Sequence, residues 1–350
     1  MTIVSLMEKE AMEAPKIISR QLMENLPLWQ AFDLRLKEAN CPYAMTVARG
    51  SSDHAATYAK YAIETKAHIP VASAAPSVMT LYGAHLKLDQ ALVIAFSQSG
   101  KSPDICESLK SARQAGALTV AVVNQTMSPL ADTAEYVIPV WAGDEISVAA
   151  TKSYLGTLSA IAQFVGVCTA DQALLSALDY LPERLAQACD RDWSVMVDCL
   201  KDKKDIFIVG RGYSFPIAQE AALKCKETCA LHAEAFSSAE VLHGPFALVK
   251  KDFPIILFAQ NDSSFEATVA LSKHICSLGA QALLVINEDQ ESRISKEDYS
   301  YLFKVPESLH PMLDPIMMIQ AFYLMVAKLS KARGFNPDRP DNLKKVTETR

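Results

Sequence analysis

The stretch ALVIAFSQSGKSPD, residues 91–104, contains in order a strand, a polar loop and the start of a helix. A short apolar run that ends in turn-forming residues is typical of a central strand in a parallel sheet. After the loop, Ser102 is suited to cap a helix, Pro103 to occupy its first position and Asp104 its first turn. The stretch therefore predicts a strand–loop–helix unit of an α/β fold.

The loop of this unit brings three hydroxyl groups to the start of the predicted helix. They belong to Ser97, Ser99 and Ser102. The first N–H groups of a helix have no partner within the helix, so they attract anions such as phosphate. The loop alone is compatible with two interpretations, a capped turn without a ligand and a phosphate site.

The same order of segments occurs twice along the chain. Four pairs of segments match at an offset of 162 to 166 residues: YAMTVARGSS (43–52) with DIFIVGRGYS (205–214), ALVIAFSQSG (91–100) with FPIILFAQND (253–262), GALTVAVVNQ (116–125) with GAQALLVINE (279–288), and AEYVIPV (134–140) with SYLFKVP (300–306). Helical patterns separate these strands. We therefore predict two tandem α/β domains, each with a parallel β-sheet flanked by helices on both faces (an αβα sandwich).

The predicted domains leave a helical lead and a tail at the two ends of the chain. The predicted parts are an N-terminal helical segment (1–30), a first domain (31–185), a second domain (195–333) and a C-terminal tail (334–350). A helical stretch around residues 171–200 connects the domains. The mostly apolar stretch 154–170 is interpreted as a buried helix because it is shorter than a typical membrane span.

The two copies differ where their strands end, which is where ligands bind in open parallel sheets. The first copy has Gly50-Ser51-Ser52 and Ser97-Gln98-Ser99-Gly100 at these places. The second copy has Gly210-Arg211-Gly212 and Ala259-Gln260-Asn261-Asp262. We expect only the first copy to hold a phosphate, and the second copy to supply other groups.

Composition argues against several classes of protein. The formal charge of −6 over 350 residues, without a basic cluster, disfavours nucleic acid as a partner. The N-terminus has acids where a signal peptide needs a basic region and an apolar core. The eight cysteines form no CxxC pair and the seven histidines no HxxxH pair, so neither a disulfide framework nor a metal site is predicted. We expect a cytoplasmic protein that does not bind membranes.

The helix QEAALKCKETCA, residues 219–230, places Glu220, Lys224 and Glu227 on one face. One interpretation is an exposed ladder of ion pairs. The other is a buried acid–base cluster, which the surrounding Ala, Leu and Cys residues favour. Further on, His243-Gly244-Pro245 forms a rigid turn that either presents an imidazole or is purely structural.

In this order along nearly the whole chain, the motifs resemble the sugar-isomerase (SIS) family, specifically the isomerase half of glucosamine-6-phosphate synthase. The motifs that carry the resemblance are Met7-Glu8-Lys9-Glu10 with Pro15, then RGSS, SQSG, EISVAATK, EAALKCKE, HAEAF, HGP and NLKK. The resemblance implies two tandem SIS domains and a tail that acts as a lid.

The resemblance also implies which residues bind the substrate. Those matching the phosphate loop are Ser97, Gln98, Ser99, Gly100 and Ser102, those near the sugar are Gly50, Ser51 and Ser52, and Val148 lines the sugar site through its backbone. Three departures fall in the phosphate loop and the lid. Lys101 stands where the synthase has an acid, Asp341 where its tail has an arginine, and Lys344 where it has an alanine.

Four catalytic roles follow from the same resemblance. Glu227 matches the base that moves a proton between C-1 and C-2 of the sugar. His243 matches a ring-opening histidine that the family's homodimer supplies from the neighbouring subunit, so that active sites are shared. Lys345 matches the tail lysine that closes over the open-chain sugar, and Lys224 an assisting lysine. No metal or organic cofactor is implied.

One absence sets the expected direction of the reaction. The synthase makes ammonia from glutamine in an N-terminal domain with a terminal cysteine, whereas only six residues precede Met7 here and the first cysteine is Cys41. We therefore expect a SIS-type glucosamine-6-phosphate deaminase. Proton transfer by Glu227 would give an imine that is hydrolysed to fructose 6-phosphate and ammonia.

Related activities remain open at this point. A fructosamine-6-phosphate deglycase and another phosphosugar isomerase would use the same loop and base. A non-catalytic sugar-phosphate sensor would need the loop but not Glu227, His243 or Lys345. Because those residues are present and the N-terminus is acidic, the sequence favours an enzyme.

Overall fold

The computed structural model describes residues 4–345 and contains, within them, two five-stranded parallel sheets. The first sheet has the order β2-β1-β3-β4-β5, with strands β1 (Tyr43–Val47), β2 (Val71–Ser73), β3 (Ala91–Ser97), β4 (Leu118–Val123) and β5 (Tyr136–Pro139). The second has the order β7-β6-β8-β9-β10, with strands β6 (Asp205–Gly210), β7 (His232–Ser237), β8 (Pro254–Ala259), β9 (Gln281–Asn287) and β10 (Tyr301–Val305). Both sheets have the same doubly wound topology, which confirms the predicted duplication.

Eleven α-helices accompany the sheets in the described part of the chain. They are α1 (Leu6–Ala39), α2 (Ser51–Lys66), α3 (Pro76–Thr80), α4 (Pro103–Gln114), α5 (Pro129–Thr133), α6 (Lys152–Cys168), α7 (Gln172–Cys189), α8 (Ser194–Leu200), α9 (Phe215–Cys229), α10 (Phe265–Ser277) and α11 (Asp314–Ala332). None of these helices combines the length and the apolar character that a membrane span requires. The helix interpreted from residues 154–170 is α6, and it is buried from Lys152 to Gly166 as predicted.

All eight predicted strands form, but the edge strands β2 and β7 were not predicted. Each pairs with only one neighbour, at the edge of its sheet. In β2 only Val71 is buried, and β7 begins with the exposed His232. A half-exposed edge strand lacks the continuous apolar run that identifies a central strand, so the pattern gave no signal.

The chain divides into two compact units, each built around one sheet. The first-sheet unit comprises residues 16–145, 152–179 and 344–345, and the second-sheet unit comprises residues 4–15, 146–151 and 180–343. Each unit is therefore made of segments that are distant in sequence. The predicted domain limits at 31–185 and 195–333 stay predictions.

Helix α1 is longer than the predicted lead of residues 1–30, because it continues to Ala39. Its aromatic residues explain the extension within the first-sheet unit. The ring of Trp29 lies 4.9 Å from that of Phe164, and the ring of Phe32 lies 5.2 Å from that of Tyr136. Burying these rings stabilises the second half of the helix beyond residue 30.

Candidate functional site

The loop between β3 and α4 offers hydroxyl donors to a ligand. The Ser97 hydroxyl accepts a hydrogen bond from the Gly100 N–H (2.9 Å), and the Ser99 hydroxyl accepts one from the Lys101 N–H (3.3 Å). Because each oxygen is used as an acceptor, the hydroxyl proton can be donated to an anion. Ser102 occupies the N-cap of α4 as predicted, and its side chain makes no capping hydrogen bond.

Gly100 is required by the shape of this loop. Its φ of +62° lies in the left-handed region, and a Cβ there would lie 2.1 Å from the Ser128 hydroxyl oxygen. Any side chain would therefore displace the segment that begins α5. The glycine keeps the loop tight, so that Ser97 and Ser99 curl back on the following N–H groups.

The second predicted loop of the first copy lies beside this one. Strand β1 pairs in parallel with β3, and the last pair is Val47 with Ala95. Gly50, with a φ of +57°, precedes α2, and Ser51 and Ser52 occupy the first turn of that helix. The structure thus brings Gly50, Ser51 and Ser52 to the same edge of the sheet as the loop that holds Ser97, Gln98, Ser99, Gly100 and Ser102.

An ion pair that sequence reasoning missed connects these two loops. The Arg49 Nε lies 3.0 Å from the Asp104 Oδ2, and the Asp104 side chain is buried. The other carboxylate oxygen of Asp104 accepts a hydrogen bond from the Ile105 N–H (2.9 Å). The pair therefore links the end of β1 to the first turn of α4. Its only sequence signal is the position of Arg49 directly before Gly50.

The corresponding loop of the second copy is occupied by acidic side chains. Asp262 accepts hydrogen bonds from the Ser264 N–H (2.7 Å) and hydroxyl (2.6 Å) and contacts the Gln260 amide. The Asn261 N–H donates to Asp314 Oδ2 (3.1 Å). Carboxylates at this place repel a phosphate. That the second copy does not serve as the phosphate site stays a prediction.

Asp314 is the buried centre of this acidic group. Burial raises the pKa of its carboxyl to about 7, and the negative charges of Asp289 and Asp262 act in the same direction. The Ser308 hydroxyl (2.8 Å) and the Asn261 N–H oppose this shift by hydrogen bonding to the carboxylate. The folded protein therefore holds a proton on Asp314 that the unfolded chain releases near pH 3.8, the ordinary pKa of an aspartic acid.

We expect Asp314→Asn to flatten the dependence of stability on pH. Because the folded-state pKa is the higher one, the stabilising contribution of Asp314 falls as pH rises from about 4 to about 7, by roughly 3 kcal/mol between pH 5 and 8. An amide resembles the protonated acid, so the variant should not share this loss. Urea unfolding at pH 5, 7 and 8 measures the free energy of unfolding of both proteins. Asp202→Asn, at an exposed position, is the control. Parallel wild-type and Asp314→Asn curves would contradict the expectation.

Helix α9 carries the predicted cluster, and the structure confirms that it is buried. The Lys224 Nζ lies 3.3 Å from the Glu220 Oε1 and 2.5 Å from the Glu227 Oε2. Lys224 and Glu220 are fully buried, whereas the Glu227 side chain is 21% exposed. The Tyr323 hydroxyl donates a hydrogen bond to the Glu220 Oε1 (3.1 Å). The exposed-ladder interpretation is therefore wrong.

The charge of Lys224 is maintained by its two neighbours. Burial by itself lowers the pKa of an ammonium group, but the negative charges of Glu220 and Glu227 outweigh it, and the pKa of Lys224 lies above its ordinary value. Lys224 therefore remains cationic and orients Glu227, which is the partly accessible carboxylate of the cluster. This arrangement suits a positioned acid–base group.

His243 lies in an exposed turn of the second-sheet unit. Its main-chain N–H donates to the Glu240 carbonyl (2.9 Å), and Gly244 follows with a φ of +112°. Its imidazole forms no hydrogen bond or ion pair with any of the described residues 4–345. The turn therefore presents the ring outward, and the structure does not bring it into the Lys224 cluster by any hydrogen bond.

Val148 lies in the irregular segment 146–151 of the second-sheet unit. Its N–H donates to the Asp338 carbonyl (3.2 Å). The predicted backbone contact of Val148 with a sugar would therefore use its own carbonyl oxygen as an acceptor. This linkage to the tail of the chain was not predicted.

The predicted lid lysine is held by a buried carboxylate of the first-sheet unit. The Lys345 Nζ lies 2.8 Å from the Glu145 Oε2, and Glu145 is fully buried. The Ser153 N–H (3.1 Å) and hydroxyl (2.7 Å) also donate to Glu145. Asp341 and Lys344 are exposed. Glu145 belongs to the EISVAATK motif, so a sequence signal for it existed, but its role was not recognised.

Metal-ligating groups do not cluster in the described structure. Within residues 4–345, no set of three or more His, Cys, Asp and Glu side chains is arranged to hold a metal ion. The candidate groups described above are the hydroxyls of the first-copy loop, the α9 cluster, the imidazole of His243 and the ammonium of Lys345.

Comparisons with known proteins match both halves of the chain. The family model described as SIS domain matches residues 39–166 and 199–329. The glutamine–fructose-6-phosphate aminotransferase (isomerizing) of Thermococcus kodakarensis is 32% identical over 351 residues, which cover 97% of this chain and 57% of the relative. The corresponding enzyme of Clostridium perfringens is matched over 50% of its length. This chain thus spans about half the length of the curated relatives it matches.

Solved structures match the fold over nearly the whole chain. A crystal structure provisionally named a phosphosugar isomerase, from Silicibacter pomeroyi DSS-3, is 39% identical with a TM-score of 0.89, covering 96% of this chain and 100% of that one. The C-terminal domain of the glucosamine-fructose-6-phosphate aminotransferase from Francisella tularensis is 27% identical with a TM-score of 0.88, covering 97% and 99%.

Proposed function

This chain belongs to the SIS domain family, and from that premise we propose that it is a phosphosugar enzyme that converts glucosamine 6-phosphate to fructose 6-phosphate and ammonia. The observation that carries the proposal is the α9 cluster, in which the buried Lys224 holds the partly accessible Glu227 at 2.5 Å. A carboxylate so placed can move a proton between neighbouring carbons of a sugar. A protein that only binds sugar phosphates has no need for such a base.

We propose that the phosphate group binds in the first copy. We assign its binding to the hydroxyls of Ser97, Ser99 and Ser102 at the N-terminus of α4, with Gln98 and Gly100 shaping the loop. The helix end contributes its unpaired N–H groups, which suits an anion in a protein of net negative charge. In this proposal Gly50, Ser51 and Ser52 contact the sugar.

The proton transfer assigns a role to each charged group. Glu227 takes the C-2 proton of the open-chain amino sugar and returns a proton to C-1, and the resulting imine is hydrolysed to the ketone and ammonia. Lys224 keeps Glu227 in place, and Lys345 stabilises the charge that develops on the sugar oxygen. His243 assists ring opening.

The choice of substrate is supported by the names of the relatives. Those names join fructose 6-phosphate to an amino-group transfer and an isomerisation. Release of ammonia from glucosamine 6-phosphate is the reverse of adding ammonia to fructose 6-phosphate, and it requires the same proton transfer between C-1 and C-2. We propose this release as the physiological direction.

We also propose a homodimer with shared active sites. The exposed His243 turn supports it, because an imidazole that points outward can serve a neighbouring subunit. A cytoplasmic location remains part of the proposal, since all eight cysteines are free thiols, as expected in a reducing compartment.

A substrate panel tests the function directly. Purified protein should release ammonia from glucosamine 6-phosphate and form an equal amount of fructose 6-phosphate without glutamine. Galactosamine 6-phosphate, a fructosamine 6-phosphate and glucose 6-phosphate complete the panel. Ammonia from none of the amino sugars, with isomerisation of glucose 6-phosphate intact, would replace the deaminase by a plain isomerase. Release of the amine from the fructosamine phosphate alone would indicate a deglycase, and turnover of none would indicate a sensor.

A further inference from the structure

Glu10, in the first turns of α1, is bound to the segment that contains Val148. Its carboxylate accepts hydrogen bonds from the Ile146 N–H (2.5 Å) and from the Ser147 N–H (3.1 Å). The Glu10 side chain is 5% exposed, although Ile146 itself is 65% exposed. A buried carboxylate thus fixes two consecutive N–H groups of an irregular, partly exposed segment.

Asp338, in the tail, fixes the next N–H group of the same segment. Its carbonyl oxygen accepts from the Val148 N–H (3.2 Å). Its carboxylate accepts from the N–H groups of Leu6 (3.0 Å) and Met7 (2.8 Å). Asp338 therefore caps the N-terminus of α1, where a negative charge is stabilising, and binds the segment at the same time.

The start of α1 is itself attached firmly to α11. The Gln320 amide donates to the Ala11 carbonyl (3.0 Å), and the Lys331 Nζ lies 2.6 Å from the Glu8 Oε2. Burial alone raises the pKa of Glu8, but the hydrogen bonds and charge of Lys331, together with Ser5, reverse this and place its pKa below the ordinary value. Glu8 therefore stays charged at neutral pH and keeps its ion pair with Lys331. Glu10 thus lies in a helix start that is itself bonded to α11, and the Asp338 carboxylate contacts the same helix start.

Three consecutive N–H groups, those of Ile146, Ser147 and Val148, are thus held by groups outside the segment. The segment has no regular secondary structure of its own that would define its shape. With these three N–H groups occupied, residues 146–148 can offer a ligand their main-chain carbonyl oxygens, which accept hydrogen bonds from the hydroxyls of a sugar but repel a phosphate.

We infer that Glu10 and Asp338 are positioning residues that set the carbonyl of Val148 for recognition of the sugar and not of its phosphate. The inference rests on the proposed function, to which it adds the sugar contact of the Val148 backbone that the family resemblance implies. It assigns a role in the site to the N-terminal MEKE motif. It also gives the start of α1 and the tail a common role within the second-sheet unit.

The test compares binding of fructose 6-phosphate with binding of inorganic phosphate by calorimetry. Glu10→Ala should weaken the binding of fructose 6-phosphate about 10- to 100-fold, as expected for lost hydrogen bonds to a charged group. Its affinity for inorganic phosphate should change less than about twofold, since the phosphate loop is untouched. Glu10→Gln, which keeps one acceptor oxygen, should fall in between. Glu24→Gln, on the exposed part of α1, is the matched control and should change neither affinity.

Hydrogen exchange of the Ile146 and Ser147 amides gives a readout that does not depend on activity. Both amides should exchange faster in Glu10→Ala, whereas amides of β8 should not. Faster exchange with an unchanged preference for the sugar phosphate would overturn the inference. An equal loss of affinity for fructose 6-phosphate and for inorganic phosphate would also overturn the inference, because such a result would indicate a merely structural role.

The inference and the proposed function fail in different ways. If the wild type binds fructose 6-phosphate better than inorganic phosphate but releases no ammonia, the deaminase proposal fails and the positioning test proceeds by binding. If the wild type shows no preference for the sugar phosphate, Val148 recognises no sugar and the inference itself falls.

Discussion

Glu227→Gln should lower turnover of glucosamine 6-phosphate by about 10²- to 10⁴-fold, the usual contribution of a positioned base. The amide cannot accept the C-2 proton. Its oxygen can still accept a hydrogen bond from Lys224, which lies 2.5 Å from the Glu227 carboxylate. The cluster should therefore keep its shape, and the loss should appear in kcat with little change in the affinity for fructose 6-phosphate.

Two controls separate a lost base from a disturbed helix. The exposed Glu291→Gln, which makes the same chemical change elsewhere in the second-sheet unit, should turn over at the wild-type rate. A mixture of Glu227→Gln and His243→Ala subunits should recover activity after subunit exchange, because one of the two shared sites then has both residues intact. Turnover by Glu227→Gln within a few-fold of wild type would refute the mechanism. No recovery after demonstrated exchange would refute the shared site.

Lys224→Met should destabilise the protein by about 3–5 kcal/mol, the range observed when one partner of a buried ion pair is removed. Lys224 and Glu220 are fully buried, and removing the ammonium takes away the positive charge that lies 3.3 Å from the Glu220 carboxylate. Methionine fills a similar volume, so the variant should contain no large cavity. The loss of stability then results mainly from the removed positive charge.

The matched control for this change is Lys226→Met. Lys226 lies on the same helix but is exposed, so its loss should cost less than about 0.5 kcal/mol. Urea unfolding of the two variants at pH 7 measures the difference. Equal stability of the Lys224→Met and Lys226→Met proteins would show that the buried pairs contribute no net stabilisation.

Features that depend on neighbouring residues in the chain were predictable. The apolar run from Ala91 to Ala95 becomes β3, Pro103 begins α4, and the spacing of Glu220, Lys224 and Glu227 places them together on α9. These predictions succeed because the periods of strands and helices and the preferences of helix ends act over a few residues. Repetition of the segments at a nearly constant offset extended this local information to two sheets.

Contacts between distant segments were not predictable in the same way. The Glu10 carboxylate binds the Ile146 N–H across 136 residues, Lys345 binds Glu145 across 200, and Asp338 binds the Met7 N–H across 331. Nothing in the local pattern around Glu10 distinguishes it from an exposed glutamate of a long helix. Its partner is chosen by how α1 packs.

The sequence by itself determined the α/β class, the strand–loop–helix unit of residues 91–104 and the charged face of α9, because short-range periodicity encodes them, and it showed the duplication through segments repeated at a nearly constant offset. Only the tertiary structure decided that this face is buried, that Arg49 joins Asp104, and that the lead and the tail hold the Val148 segment. The physical reason is that burying a charge is unfavourable unless a hydrogen bond or an opposite charge offsets the cost, and that partner can come from any part of the chain. Which partner it is depends on packing, and packing is a property of the whole fold.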